Sequence, residues 1–341
     1  MLSALPLARY RRELDQYLRP LLSAQDPPLL WGMVRYQLGW EDTEGKPQDA
    51  TGKWLRPSLC LLACEAAGGD WRSALPVAAA IELVHNFSLI HDDVQDRDTE
   101  RHHRPTVWSV WGDAQAINAG DALLALARLQ VLRLGRAGLP SEIVVEAARV
   151  LDERTLDMVA GQTLDIAFEE RLDVDVPAYI DMVEKKSGAL FDCALHLGAL
   201  IGGCDTLVAQ RFGRIGRMLG TAFQVRDDIL GVWGDENKTG KPLGNDIRRR
   251  KKSLPVVYAL NEGPSYMRDQ LRALYTQPAV SEDDVTYVLS CLDAVHAREY
   301  CVLVATERKD SALAEVDGLN LSADPANELK EAADFLLERD F

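Results

Sequence analysis

From Ala74 to Ile90 the chain is almost unbroken apolar sequence, relieved only by Glu82, His85, Asn86 and Ser88. Val77, Ile81, Val84 and Ser88 fall on one stripe of a 3.6-residue helix, and Leu83, Phe87, Ile90 and Val94 on a second. A helix that is apolar on two faces has to be surrounded by other elements. Pro76 stands where the first turn of that helix begins, the position at which its missing N–H costs nothing. The polar interruptions keep the run short of the ~18 uninterrupted apolar residues of a membrane-spanning helix. The apolar run then passes directly into Asp92-Asp93-Val94-Gln95-Asp96. Whatever fold the chain adopts must bury this helix and bring its acidic end to a useful place.

The same periodicity recurs. Ile215, Met218, Ala222, Val225 and Ile229 repeat at helical spacing between Gly213 and Leu230, and segments 120–135, 141–168, 177–202 and 281–315 also read as helices. No segment alternates with period two, and hairpin dipeptides are scarce. The opening residues through Leu18 read as an amphipathic helix rather than a signal peptide, since Arg9 brings charge early and no basic stretch precedes an apolar core. Segments 40–51, 68–75, 97–106, 231–246 and 316–327 read as connections, none with the length or composition of a linker. The expectation is an all-α chain, one large helical domain over residues 1–341. The cysteines Cys60, Cys64, Cys193, Cys204, Cys291 and Cys301 fit no zinc spacing and read as small core residues in a reducing cytoplasm.

Two acidic clusters lie inside apolar sequence. On a helix, Asp92 and Asp96 are four apart and Asp93 and Asp96 three apart, so their carboxylates share one edge. Like charges placed so destabilise a helix unless a cation bridges them, and hard oxygen donors suit Mg²⁺ or Mn²⁺. In the second cluster, Phe223-Gln224-Val225-Arg226-Asp227-Asp228-Ile229-Leu230-Gly231, Gln224 shares a face with Asp227 and Asp228. Two such edges facing each other across a cavity would hold metal ions between them. Since Mg²⁺ is usually held by one or two carboxylates plus phosphate oxygens, a diphosphate substrate is implied by the ligand type.

Charge supports this from the other side. Against 53 Asp and Glu the chain has only 38 Lys and Arg, a formal charge of −15, which excludes a basic nucleic-acid-binding surface. In such a chain Arg248-Arg249-Arg250-Lys251-Lys252 is an unusual concentration of cations. It reads either as a solvated loop or, with 235–247, as a lid over bound anions. Lys53 and Arg56, in Gly52-Lys53-Trp54-Leu55-Arg56-Pro57, form another compact basic pair just before a helix.

Over roughly residues 45–260 these motifs, in this order, resemble the trans-polyprenyl diphosphate synthase family. Asp92-Asp93-Val94-Gln95-Asp96 matches its first aspartate-rich motif and Asp227-Asp228-Ile229-Leu230-Gly231 its second. Gly52-Lys53, Arg56 and Pro57 match the element that grips isopentenyl diphosphate, and His85 the place of another ligand to it. Arg101 matches an arginine that holds the allylic diphosphate, Gly161-Gln162 with Asp165 a middle-helix motif, and Lys186-Ser187 the family's Lys-Thr. Gln224, Lys241, Asp246, Lys251 and Leu254-Pro255 match further positions. Four positions depart from the pattern: Gly231 in place of a third aspartate, His102 in place of a second arginine for isopentenyl diphosphate, Trp54 in place of a basic residue, and Arg250 in place of glycine.

The resemblance implies an isoprenoid-synthase helical bundle with a central active-site cavity. It implies joining of an allylic diphosphate to isopentenyl diphosphate with three Mg²⁺ ions, by a cytoplasmic homodimer. Asp92, Asp96 and Asp227 would ligate the metals, with Asp93 and Asp228 in support. Lys53, Arg56, His85, His102 and Lys251 would bind substrate together with Arg101, Lys186, Gln224 and Lys241. Ser187 and Gln224 would stabilise the allylic cation. The first-motif helix should also set product length: Ser88 and Val84 are small, while Phe87, five residues before Asp92, is the expected floor of the chain cavity. A single aromatic there resembles geranylgeranyl diphosphate synthases and gives a C20 product, with a C15 or longer product as the alternative. A class I terpene cyclase and a non-catalytic partner subunit are the rival classes. Arg249 and Ser253 fail the cyclase's second metal motif, and the five intact aspartates argue against the partner subunit.

Overall fold

The computed structural model describes residues 7–23, 26–234, 242–277, 279–319 and 321–338. Most of them are helical, as expected, and they group into two compact units.

The first unit comprises Met1–Glu153, Cys193–Gly213 and Leu321–Leu329. Helices α1 (Ala8–Leu22), α2 (Pro28–Gln37) and α3 (Leu55–Ala66) lead to a 3₁₀ turn, Trp71–Ala74, and then to α4 (Leu75–Asp96). Pro76 lies in the first turn of α4, and Val77 to Leu83 are buried without interruption. With the turn before it, α4 is long and apolar enough to cross a bilayer, but most of it is buried inside the unit, as a core helix is. It packs chiefly on α6 (Asp113–Arg136) and on α3. The expected connection 97–106 contains a small hairpin, β1 (Glu100–Arg101) with β2 (Arg104–Pro105), pairing Arg101 with Arg104. Its tip residues, His102 and His103, both have left-handed backbone, with φ of 51° and 59°. A short α5 (Val107–Trp111) follows, and α7 (Ser141–Glu169) runs from this unit into the second.

The second unit comprises Arg154–Asp192, Arg214–Asn320 and Lys330–Phe341. The expected helix 177–202 is interrupted. It is α8 (Val176–Val183), then a π-turn over Glu184–Gly188, then α9 (Ala189–Ile201). Helix α10 (Thr206–Trp233) is longer than the expected 213–230 and carries through Gly231. After it come α11 (Asn245–Arg248), α12 (Leu254–Glu262), α13 (Ser265–Tyr275), α14 (Glu282–Ala294), α15 (Ala297–Asp317) and α16 (Ala323–Glu338). The single helix expected over 281–315 is broken at Val295–His296, where His296 takes φ 55°. Neither glycine nor proline marks that break.

Val232, Ile247, Val256, Leu271, Val288 and Leu292 form one buried cluster of this unit. Phe168, Tyr179, Val225, Ile229 and Leu254 belong to another. Polar clamping supplements them. Arg154 and Arg217 both bridge Asp157 and Asp192, at 2.7–3.1 Å, and so tie α7, α9 and α10 together. All six cysteines are free thiols, and all but the half-buried Cys204 are buried.

Candidate active site

The functional residues expected from the sequence fall in both units. In the first unit, the entry to α3 is made by Trp54, whose backbone is left-handed (φ 49°) and whose indole is buried. A large residue tolerates that conformation only when its surroundings fix it. The turn leaves Lys53 exposed and brings Arg56 to α4, where its Nη1 lies 3.3 Å from His85 Nε2. Burial, and then the charges of Arg56, Arg101 and His102, hold the His85 pKa well below its usual value. His85 is therefore a neutral imidazole among cations, able to hydrogen-bond an anion without competing for its charge.

Further along α4 the side chains divide. Ser88 hydrogen-bonds the His85 carbonyl at 2.8 Å, and Val84 is fully buried. Phe87 is buried and meets the His91 ring edge to face at 4.7 Å. Helical spacing alone put Asp92, Asp93 and Asp96 on one edge, but Asp93 is turned inward. It is 1% exposed, and Arg101 reaches its Oδ1 with both Nε and Nη2 at 2.8 Å. Burial raises the Asp93 pKa, with Arg101 opposing that rise. The hairpin makes this possible by returning Arg101 to the helix that precedes it. Asp92 stays half-buried and Asp96 exposed.

In the second unit, Gly161 on α7 abuts the π-turn. A Cβ at 161 would lie 2.2 Å from the Lys186 nitrogen, so only glycine permits this approach. Lys186 there forms an ion pair with Asp165 at 2.5 Å. The π-turn, a feature often found at functional sites, also turns Ser187 toward α10, where its hydroxyl donates to Gln224 Oε1 at 2.8 Å. Gln224 Nε2 in turn donates to Asp228 Oδ1 at 3.2 Å. Asp228 is fully buried and also accepts from the Tyr179 hydroxyl at 2.5 Å and the Leu254 N–H at 3.1 Å. Burial pushes its pKa up to about 6, against the pull of Lys251 and these donors. Asp227 is half-buried. Desolvation works to lower the Lys251 pKa, but the carboxylates of Asp228, Asp246, Asp165 and Asp227 outweigh it and the pKa is raised.

Sequence reasoning missed Tyr179. A tyrosine in an apolar helix reads as core, and its partner Asp228 is 49 residues away. The only available signal was its place two turns before Lys186. Lys241 and the segment 235–241 of the expected lid lie outside the described residues.

Among the described residues, no three His, Cys, Asp or Glu side chains stand close enough to hold an ion by themselves. The donor set still fits a hard divalent cation. Asp92, Asp96 and Asp227 are carboxylates that solvent or phosphate can reach, and no thiol stands among them. Water and phosphate oxygens would complete the coordination of an ion held by one or two of them.

Comparison with known proteins points the same way. A family model described as polyprenyl synthetase matches residues 46–292. A geranylgeranyl diphosphate synthase of Mycobacterium tuberculosis is 42% identical over 314 residues, 90% of this chain and 87% of that protein. A (2E,6E)-farnesyl diphosphate synthase of the same organism is 38% identical over 330 residues, 96% of this chain and 87% of that one. The crystal structure of a polyprenyl synthetase from Streptomyces coelicolor A3(2) superposes with a TM-score of 0.92 at 37% identity, covering 99% of this chain and 100% of the other.

Proposed function

Because the chain belongs to the polyprenyl synthetase family and is a prenyl diphosphate synthase acting on an allylic diphosphate and isopentenyl diphosphate, we propose that it elongates to the C20 product, geranylgeranyl diphosphate. What carries the C20 reading is Phe87. It is the one bulky side chain of the three at 84, 87 and 88, and it is buried against His91 one turn before Asp92. The 42% identity to a protein named geranylgeranyl diphosphate synthase supports it. The 38% identity to one named farnesyl diphosphate synthase supports the C15 alternative.

In this reading Asp92, Asp96 and Asp227 would be the carboxylates that hold Mg²⁺, which when bound would supply the Lewis-acid neutralisation that makes diphosphate a competent leaving group. Asp93 and Asp228 hold their neighbours in place from buried positions. Arg101, Lys186, Lys241 and Lys251 contribute fixed positive charge toward the allylic diphosphate, preorganised rather than recruited during the reaction. Lys53, Arg56, His85 and His102 bind isopentenyl diphosphate, with His85 as a neutral donor. Ser187 Oγ and Gln224 Oε1, 2.8 Å apart, are neutral oxygens that stabilise an allylic cation without capturing it. The departing diphosphate takes the proton, so no side-chain base is required. The lid reading of 235–252 serves to exclude water, which would quench the cation.

The test is product analysis. The purified protein, with Mg²⁺, isopentenyl diphosphate and each of the C5, C10 and C15 allylic diphosphates, should stop at C20. Phe87→Ala should shift the distribution to longer chains. A wild-type product of C15, or a Phe87→Ala variant with unchanged product length, overturns the C20 assignment or the role of Phe87 respectively.

A further inference from the structure

We propose that Arg250 and Lys252 are positioning residues for Lys251, anchoring the turn between α11 and α12 so that the Lys251 ammonium is already in place for the diphosphate of the allylic substrate. The inference rests on the reading that Lys251 faces that diphosphate. The turn ends α11 sharply. Arg250 N–H donates to the Ile247 carbonyl at 2.8 Å and Lys251 N–H to the Asp246 carbonyl at 2.8 Å. These are the paired bonds of a helix C-terminus that reverses through one left-handed residue. That residue is Arg250, with φ 53°. Glycine adopts this conformation without strain, so an arginine there depends on its surroundings to hold it.

The side chains of the basic run part company. Arg248 pairs with Glu282 at the start of α14, its Nε and Nη2 lying 2.8 and 2.7 Å from the carboxylate oxygens. Arg250 Nη1 donates to the Gln277 carbonyl just beyond α13. Lys252 Nζ donates to the Phe168 and Glu169 carbonyls at 2.9 and 2.5 Å, at the C-terminal end of α7, where a cation is favoured. Burial lowers the Lys252 pKa, Glu169 opposes that, and the charge of Arg250 adds to it. The two cations therefore repel, and each is held by carbonyl acceptors of its own. Residues 248–252 are the anchored end of the segment 235–252. Between the two anchors, Lys251 stands among the carboxylates of Asp228, Asp246, Asp165 and Asp227. Its side chain is accessible, and among the described residues its ammonium makes no hydrogen bond or ion pair. Lys186 is the contrast, since Asp165 holds its ammonium at 2.5 Å. What places Lys251 is the anchored backbone on either side of it. A charge preorganised in this way need not be gathered when the diphosphate arrives.

The experiment measures steady-state kinetics of the full-length protein with the C10 allylic diphosphate and isopentenyl diphosphate, with circular dichroism melts of each variant. Lys251→Met should raise the KM for the allylic diphosphate. Lys252→Met should raise the same KM about 5–10-fold and leave the KM for isopentenyl diphosphate within about twofold of wild type. Lys252→Arg, which can still donate to two carbonyls, should restore it. Arg250→Gly relieves the left-handed backbone, so its melting temperature should stay within about 3 °C of wild type. Its KM for the allylic diphosphate should nonetheless rise about threefold, which a purely structural role would not produce. In a Lys251→Met background neither change should raise that KM further, because the residue they position is gone. Wild-type KM values in Lys252→Met and Arg250→Gly, with a raised KM in Lys251→Met, overturn the inference and leave the functional reading standing. Effects that add in full to that of Lys251→Met also overturn it. An unchanged KM in Lys251→Met overturns the reading that Lys251 faces the diphosphate.

Discussion

Asp93 and Asp228 are each the second aspartate of a pair, and each is turned into the protein while its neighbour stays accessible. Arg101 holds the first, and Tyr179, Gln224 and the Leu254 N–H hold the second. The physical reason is that two adjacent carboxylates cannot both face one ion cluster from a helix, because their side chains diverge by about 100°. The inward one must find donors or suffer the cost of an unsatisfied buried charge. Tyr179 meets that need for Asp228. Replacing it with Phe removes a hydrogen bond to a buried acid and should lower stability by about 2 kcal/mol in urea unfolding. A Tyr179→Phe variant within about 0.5 kcal/mol of wild type would show that the hydroxyl is dispensable. At this scale the sequence was informative about which residues matter and poor about their partners. Asp92, Asp96 and Asp227 were visible from spacing within one helix. The Arg101–Asp93 and Tyr179–Asp228 contacts depend on how separate segments return to that helix.

Helix α4 carries a second consequence of burying polar groups in an apolar element. Glu82 is 5% exposed, and burial pushes its pKa up to about 7, against the Asn86 hydrogen bond at 2.9 Å and the Arg56 charge. A carboxyl whose pKa is raised on folding binds its proton more tightly in the folded state. Its contribution to stability is complete below the ordinary value of 4.5 and is lost as pH rises through about 7. Above that window the folded protein carries the cost of a buried charge, at most about 3 kcal/mol for a shift of this size. Glu82→Gln keeps an acceptor for Asn86 and cannot ionise. It should therefore melt higher than wild type at pH 8, and the advantage should shrink toward pH 5. A difference between the two proteins that is independent of pH would mean that Glu82 does not titrate in this window. The helices themselves were legible because burial imposes a 3.6-residue repeat. The interruptions were not, because the π-turn at 184–188, the tip His102-His103 and the break at His296 contain ordinary residues held in place by tertiary contacts.

For the molecule as a whole, the charge of −15 describes an acidic surface, which α6 and other helices interrupt with exposed apolar side chains. Ile117, Leu129 and Leu132 on α6 are 44%, 57% and 57% exposed, beside the exposed Asn118, Ala125, Arg128 and Arg133. Fully burying one such leucine is worth about 2 kcal/mol, so leaving several on one helix face is costly in isolation. Leu129 and Leu132 lie one turn apart, and exposed large apolar side chains grouped in this way are characteristic of protein–protein contact surfaces. We propose that this face pairs two copies of the chain. A twofold contact places the same patch on both subunits, so each substitution acts twice. The apolar area must also offset the repulsion between two bodies of like charge. Sedimentation equilibrium should give twice the chain mass of 37.8 kDa for the wild type. Leu129→Glu/Leu132→Glu would place four carboxylates in the shared face and should yield the monomer mass with helical circular dichroism retained. Raising the salt concentration should tighten the wild-type association, because screening weakens the repulsion and leaves the apolar contact intact. A wild type that sediments at the single-chain mass, or a double variant that still sediments at twice that mass, would place the subunit contact elsewhere or exclude it.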